Sequence, residues 1–171
     1  RAKAVSREIG EQLQTLTRLQ SEENRLTARQ SSLLPWQAMD MPLELSGTEH
    51  VLFRPGVMPA GVDVGQIQVS FGDLAAELLE ISSDKQQKYC LLICHRQDEE
   101  SVMECLRPFS FSAVSFQGLT GTADANLTSV SQALAENRKG QEDAAAAIAA
   151  NGEARDALRV YADRLAAEAA E

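Results

Sequence analysis

Few residues in this chain stand out as able to do chemistry: two histidines, three cysteines and one triplet of adjacent carboxylates. His50 and His95 could carry a proton or bind a metal through nitrogen, but no Cys or carboxylate stands beside them at ligand spacing. Both fall at the start or end of an expected strand and read as strand-end residues. Cys94 and His95 together suggest a thiol–imidazole nucleophile. Neighbours on a strand point to opposite faces, so the pair does not form. Cys90, Cys94 and Cys105 are odd in number and make no CxxC. Cys90 and Cys94 lie in the apolar run Tyr89-Cys-Leu-Leu-Ile-Cys94, where thiols act as small hydrophobes. They imply a reducing compartment rather than a disulfide framework or a zinc site.

The acidic triplet Asp98-Glu99-Glu100 could supply a paired acid and base. It also suits a helix N-terminus, which attracts negative charge, and Asp98 reads as the cap. Gly118-Leu-Thr-Gly121 precedes a helix as a phosphate loop would, but lacks the Lys and Ser/Thr that such a loop needs. Ser110, Ser112 and Ser115 have no nucleophile elbow around them. The expectation is a non-catalytic chain with no metal and no cofactor. Trp36, the single tryptophan, stands where a helix gives way to a lobe. It reads as a core anchor fixing the lobe, with a partner contact as the alternative.

The net charge of −9 and pI of about 4.8 argue against nucleic acid and against an anionic membrane surface, since no Lys/Arg run offsets them. Aromatic residues are only 5% of the 171, so the apolar content is aliphatic and favours helix packed on helix. No apolar run is long enough to span a bilayer, and no signal peptide is visible. The chain opens on Arg1 and stops at Glu171 within helical patterns, so the expectation is a segment of a longer protein.

The elements that would position these residues follow from periodicity. Over Ala2 to about Ser32, Val5, Ile9, Leu13, Leu16, Leu19 and Leu26 share one helical face, and Arg7, Glu11, Gln14, Arg18 and Glu22 share the other. The narrow stripe suits one partner helix. Leu33-Leu-Pro-Trp36 ends this helix. From His50 to Phe116 the pattern changes. His50–Val57 reads as a strand broken by Pro55-Gly56. Asp63 caps a short helix over Val64, Ile67 and Phe71, in a segment weakened by Gly61, Gly65 and Gly72. Ala75–Ser82 and Lys88–His95 read as strands about a polar turn. A helix from Asp98, carrying Val102, Met103 and Leu106, ends at Pro108. Ser112–Phe116 is a last strand. This is the βαββαβ order of ferredoxin-like folds, a four-stranded sheet backed by two helices.

From about Ala125 to Glu171 the chain is helical again, capped by Asp124 or Asn126. Leu127, Leu134 and Ile148 share one heptad register, and Val130, Ala144, Leu158 and Leu165 the complementary one. Asn137, Gln141, Asn151 and Arg155 make the seam imperfect. The expected architecture is α+β: a ferredoxin-like lobe over 34–124, carried on a long antiparallel two-helix coiled coil formed by 1–33 and 125–171.

Leu34-Pro-Trp36 with Asp40 and Pro42-Leu43, the strand ending Arg54-Pro-Gly56 and continuing to Met58-Pro59, and Phe109–Phe116 followed by a glycine-containing loop and Leu127 together resemble the soluble N-terminal part of the rotary V-type ATPase/ATP synthase subunit I family, called subunit a in eukaryotes. The resemblance covers essentially the whole chain and is specific in layout. It implies a stator arm on the cytoplasmic face of a membrane complex. Such an arm would bind peripheral-stalk subunits and support proton transport coupled to ATP hydrolysis or synthesis by the whole assembly. The family's ion-path residues belong to a membrane domain, and none maps here. Two other readings stand beside it: a ferredoxin-like amino-acid-sensing module using Gly61, Gly65 and Gly72, and a coiled-coil interaction arm of an unrelated assembly.

Overall fold

In the computed structural model, which describes residues 2–170, two long helices bracket a mixed segment. Helix α1 is Ala2–Leu33 and α4 is Ala123–Ala170. Between them run β1 (Val51–Pro59), α2 (Val64–Ser70), β2 (Ala76–Ser83), β3 (Gln87–His95), α3 (Glu99–Leu106) and β4 (Ser112–Ala113). Gln30–Ser129 forms one compact unit, and the helix segments before and after it form a second.

In the unit Gln30–Ser129 the strands make a sheet in the order β2-β3-β1-β4, with every pairing antiparallel. That is the α+β architecture expected from the βαββαβ element order. Asp63 caps α2 by accepting the Gly65 N–H at 2.9 Å. The β2–β3 turn is set by Asp84, whose Oδ1 accepts the N–H groups of Gln86 and Gln87 at 2.8 Å each. This is the local bonding that makes Asp a turn former.

Strand β1 does not break at Pro55-Gly56 as expected but pairs with β3 through to Pro59. Pro55 is tolerated because its side of β1 meets only the short β4, where its carbonyl accepts the Val114 N–H at 2.9 Å. Gly56 is required: a Cβ there would lie 2.2 Å from Cζ of Phe111. The last strand is shorter than expected. Only Ser112 and Ala113 pair with β1, and Phe116 leaves the ladder to place its ring 5.6 Å from that of Trp36.

Both faces of the sheet are covered. Leu52, Met58, Leu78, Cys90, Leu92 and Cys94 pack with Ile67 and Phe71, and with Val102 and Leu106 of α3. On the other face Phe53, Val57, Ile81, Tyr89, Leu91 and Ile93 pack with Trp36, Met39, Met41 and Ala123. Burial on both sides explains the unbroken apolar run of β3, where a half-exposed strand would alternate.

In the other unit, Leu26 packs against Val130, Ala133 and Leu134. Nearer the start of α1, Leu19 meets Asn137 and Gly140, so the two helices run antiparallel over this stretch. Leu13, expected on the apolar face, is half exposed. Ala144 is buried. The side chains of Arg155, Leu158 and Leu165, expected along the seam, lie outside the described residues.

Candidate interaction surface

The structure separates the residues that could have formed a reactive centre. Cys94 is buried on the α2/α3 face of the sheet, and its neighbour His95 accepts the Gln97 N–H at Nδ1. Burial, helped by the charge of Glu80, pushes the Cys90 thiol up to about 11; burial also raises Cys94. Thiols held protonated are inert structural residues. The three cysteines are free, and among the described residues no group of three or more His, Cys, Asp or Glu could hold a metal ion.

His50 and His95 are brought together, which the sequence did not announce. Their rings stack with centroids 6.1 Å apart and 13° between planes. Val51 lies opposite His95 in the β1–β3 ladder. Only that register makes residues 45 positions apart neighbours.

The acidic triplet serves structure, though not as expected. Asp98 stands at the N-cap of α3 but makes no side-chain cap bond. Its carboxylate accepts the Ala75 N–H at 3.0 Å instead, tying α3 to the entrance of β2. Glu99 accepts from Arg54 Nη1 at 3.0 Å. The glycine loop is likewise committed. Gly118 and Gly121 take φ of +79° and +78°, and the Gly121 N–H donates to Glu44 Oε2 at 2.8 Å. The N–H a phosphate would use is held by a carboxylate of the chain itself. Thr122 caps α4, its Oγ1 accepting the Ala125 N–H at 3.1 Å. Asp124 and Asn126, expected in that role, bond to Gln37 and to the carbonyls of Thr120 and Thr122.

Trp36 is 2% exposed and meets Tyr89 edge-on at 5.5 Å and Phe116 edge-on at 5.6 Å. Edge-to-face pairs of this kind add to area burial. The ring is buried among residues of its own unit and offers almost no surface to a partner.

A groove of about 530 Å³ runs along β1, between Leu43–Ser46 and the chain from Ala113 to Leu119. Phe53, Pro55, Val114 and Phe116 give it apolar walls. Gly61, Gly65 and Gly72 do not line it, so it is not the glycine-loop pocket that a sensing module would use.

No protein-family profile matches the chain, and no curated protein does. Among solved structures, the chain is similar to the crystal structure of the cytoplasmic N-terminal domain of subunit I, homolog of subunit a, of V-ATPase. The TM-score is 0.57 at 13% identity, over 97% of this chain and 69% of that one. At that identity the likeness is one of fold. No helix among the described residues is long and apolar enough to cross a membrane.

Proposed function

We infer that this chain is a non-catalytic structural segment of a rotary V-type ATPase, acting in the stator arm and binding peripheral-stalk subunits through the unit Gln30–Ser129. The observation that carries the reading is the fold likeness to the subunit I cytoplasmic domain over 97% of the chain. Helix pairing supports it: a strut under torque needs stiffness along its length, and two helices packed antiparallel resist bending better than one. The sheet, covered on both faces, would serve as a firm platform for a partner at the β1 groove. On this reading 1–33 and 125–171 are the coiled-coil strands and 34–124 the lobe. The chain works at the cytoplasmic face of the membrane, and the whole complex couples proton transport to ATP hydrolysis or synthesis.

Titration calorimetry of the full chain against the intact paired stalk subunits at native salt tests this. Saturable binding that weakens on Phe53→Glu in the groove wall supports the reading. No heat beyond dilution with intact, folded stalk counts decisively against it.

A further inference from the structure

Strand β2 is an edge of the sheet, next to β3 alone. An edge strand presents unpaired N–H and C=O groups and is a template for another strand unless something blocks it. The Ala75 carbonyl accepts the His95 N–H, so Ala75 bonds toward β3. By alternation, the backbones of Ala76 and Leu78 turn outward. Both are occupied. The side-chain amide of Gln68, on α2, donates from Nε2 to the Ala76 carbonyl at 2.9 Å and accepts the Leu78 N–H on Oε1 at 3.0 Å. A primary amide carries one acceptor and a donor pair, the groups a neighbouring strand would bring.

We propose that Gln68 is an edge plug, occupying the outer backbone of β2 so that no second strand can add to the sheet there. The remainder of the strand is blocked by other means. The ladder slips between Glu80 and Ser82, and a bulge turns an edge away from further pairing. Glu80 pairs with Lys88 of β3 at 3.5 Å, so its charge lies over the ladder and the bulge is what guards this end of the edge. The stretch Ala76–Leu78 carries the charge of Glu77 but keeps a regular ladder, and there Gln68 occupies outward backbone groups directly. Leu79, 38% exposed on this strand, would make an unplugged edge sticky. The incoming strand would then be β2 of a second copy, the edge that every copy exposes alike.

Two measurements test the plug. In the wild-type chain, the Leu78 amide should exchange with deuterium at least tenfold more slowly than an open edge amide; exchange at the open rate would overturn the proposal whatever any variant does. In Gln68→Ala, that protection should be lost at low concentration. Sedimentation velocity should then show self-association at least tenfold tighter than wild type, reversed by adding Leu79→Lys. A folded Gln68→Ala chain with wild-type sedimentation at every concentration would also overturn it. Gln68→Glu, which keeps the acceptor for Leu78 but loses the donor for Ala76, should fall between.

Discussion

Asn137 donates its Nδ2–H to the main-chain carbonyl of Leu19 at 2.8 Å, joining α4 to α1 through a residue only 5% exposed. Its Oδ1 accepts from Gln141 at 2.6 Å, and Gln141 also donates to Glu23. Two of the polar positions that made the seam look imperfect, Asn137 and Gln141, are bonded to one another and across it. A buried polar residue of this kind fixes register at some cost in stability. Asn137→Ala removes one bond to Leu19 and strips Gln141 of one of its two acceptors. The expected loss is about 1–2 kcal/mol in urea unfolding. The loss for Asn137→Ala with Gln141→Ala together should be smaller than the sum of the two single losses. Strict additivity would show that the network is not coupled.

The helical glycines should respond to alanine with different signs. A Cβ on Gly10 or Gly152 would meet nothing within 4 Å, whereas one on Gly140 would stand 3.1 Å from Cδ1 of Leu19. Gly10→Ala and Gly152→Ala should each stabilise by up to about 1 kcal/mol through helix propensity. At Gly140 the same gain is opposed by the contact, so Gly140→Ala should be close to neutral. Gly140→Leu should cost about 1–3 kcal/mol by overpacking. Equal stabilisation by alanine at all three sites, read as thermal midpoints, would mean the helices are not in contact at Leu19.

Trp36→Ala should destabilise the unit Gln30–Ser129 by about 3–5 kcal/mol, the usual cost of emptying a large aromatic site. Trp36→Phe should retain most of the stability. The natural fluorescence of the single tryptophan reports the same transition, and its emission should shift red on unfolding. A near-neutral alanine variant would count against the anchor reading and for a partner contact.

Much of this fold was legible in the sequence, for reasons that differ by element. Asp63 could be recognised as a cap because its role depends only on residues that follow it. The strand Gln87–His95 stood out because an apolar run between polar turns needs no distant partner to be recognised. The cover over its second face did not, since such a run looks alike whether one face or both are buried. The β1 boundary was misread because Pro55-Gly56 signals a turn locally. Whether proline sits harmlessly within the strand is decided by what lies beside it, here Val114, nearly sixty positions away. Gln68 illustrates the same limit. Nothing distinguishes it from other surface glutamines until α2 is laid beside the edge of β2. Asp98 was expected to serve its own helix, yet the nearest unmet donor belonged to Ala75.

Asp84 gives the fold a dependence on acid. The Gln87 and Gln86 N–H groups and then the Tyr89 hydroxyl hold its carboxyl below the usual carboxylate range. A folded-state pKa below the unfolded one stabilises the fold above the unfolded value, about 4, and that contribution is lost as pH falls through the folded value. Wild type should therefore be more stable than Asp84→Asn at about pH 6, and the gap should narrow from about pH 4 downward. Urea midpoints across that range measure it. A gap that stays constant with pH would mean that the charge on Asp84 contributes nothing to the turn.

Thiol labelling should rank the cysteines by burial. With its pKa raised to about 11 by burial, Cys90 holds only about one part in a thousand as thiolate at pH 8, and the thiolate is the reactive form. It is also 0% exposed, and Cys94 2%. Cys105 is partly exposed, with its Sγ 3.6 Å from the Ser70 carbonyl. A chromogenic disulfide reagent should thus modify Cys105 first in the native protein. Cys94 and Cys90 should react only at the rate of opening of the sheet, accelerating with urea along the unfolding curve. In Cys105→Ser the fast phase should vanish while the slow phases are unchanged. Rapid labelling of Cys90 in the native chain would show that the face of the sheet under α2 and α3 is not closed, and the two-faced burial that defines this unit would have to be abandoned.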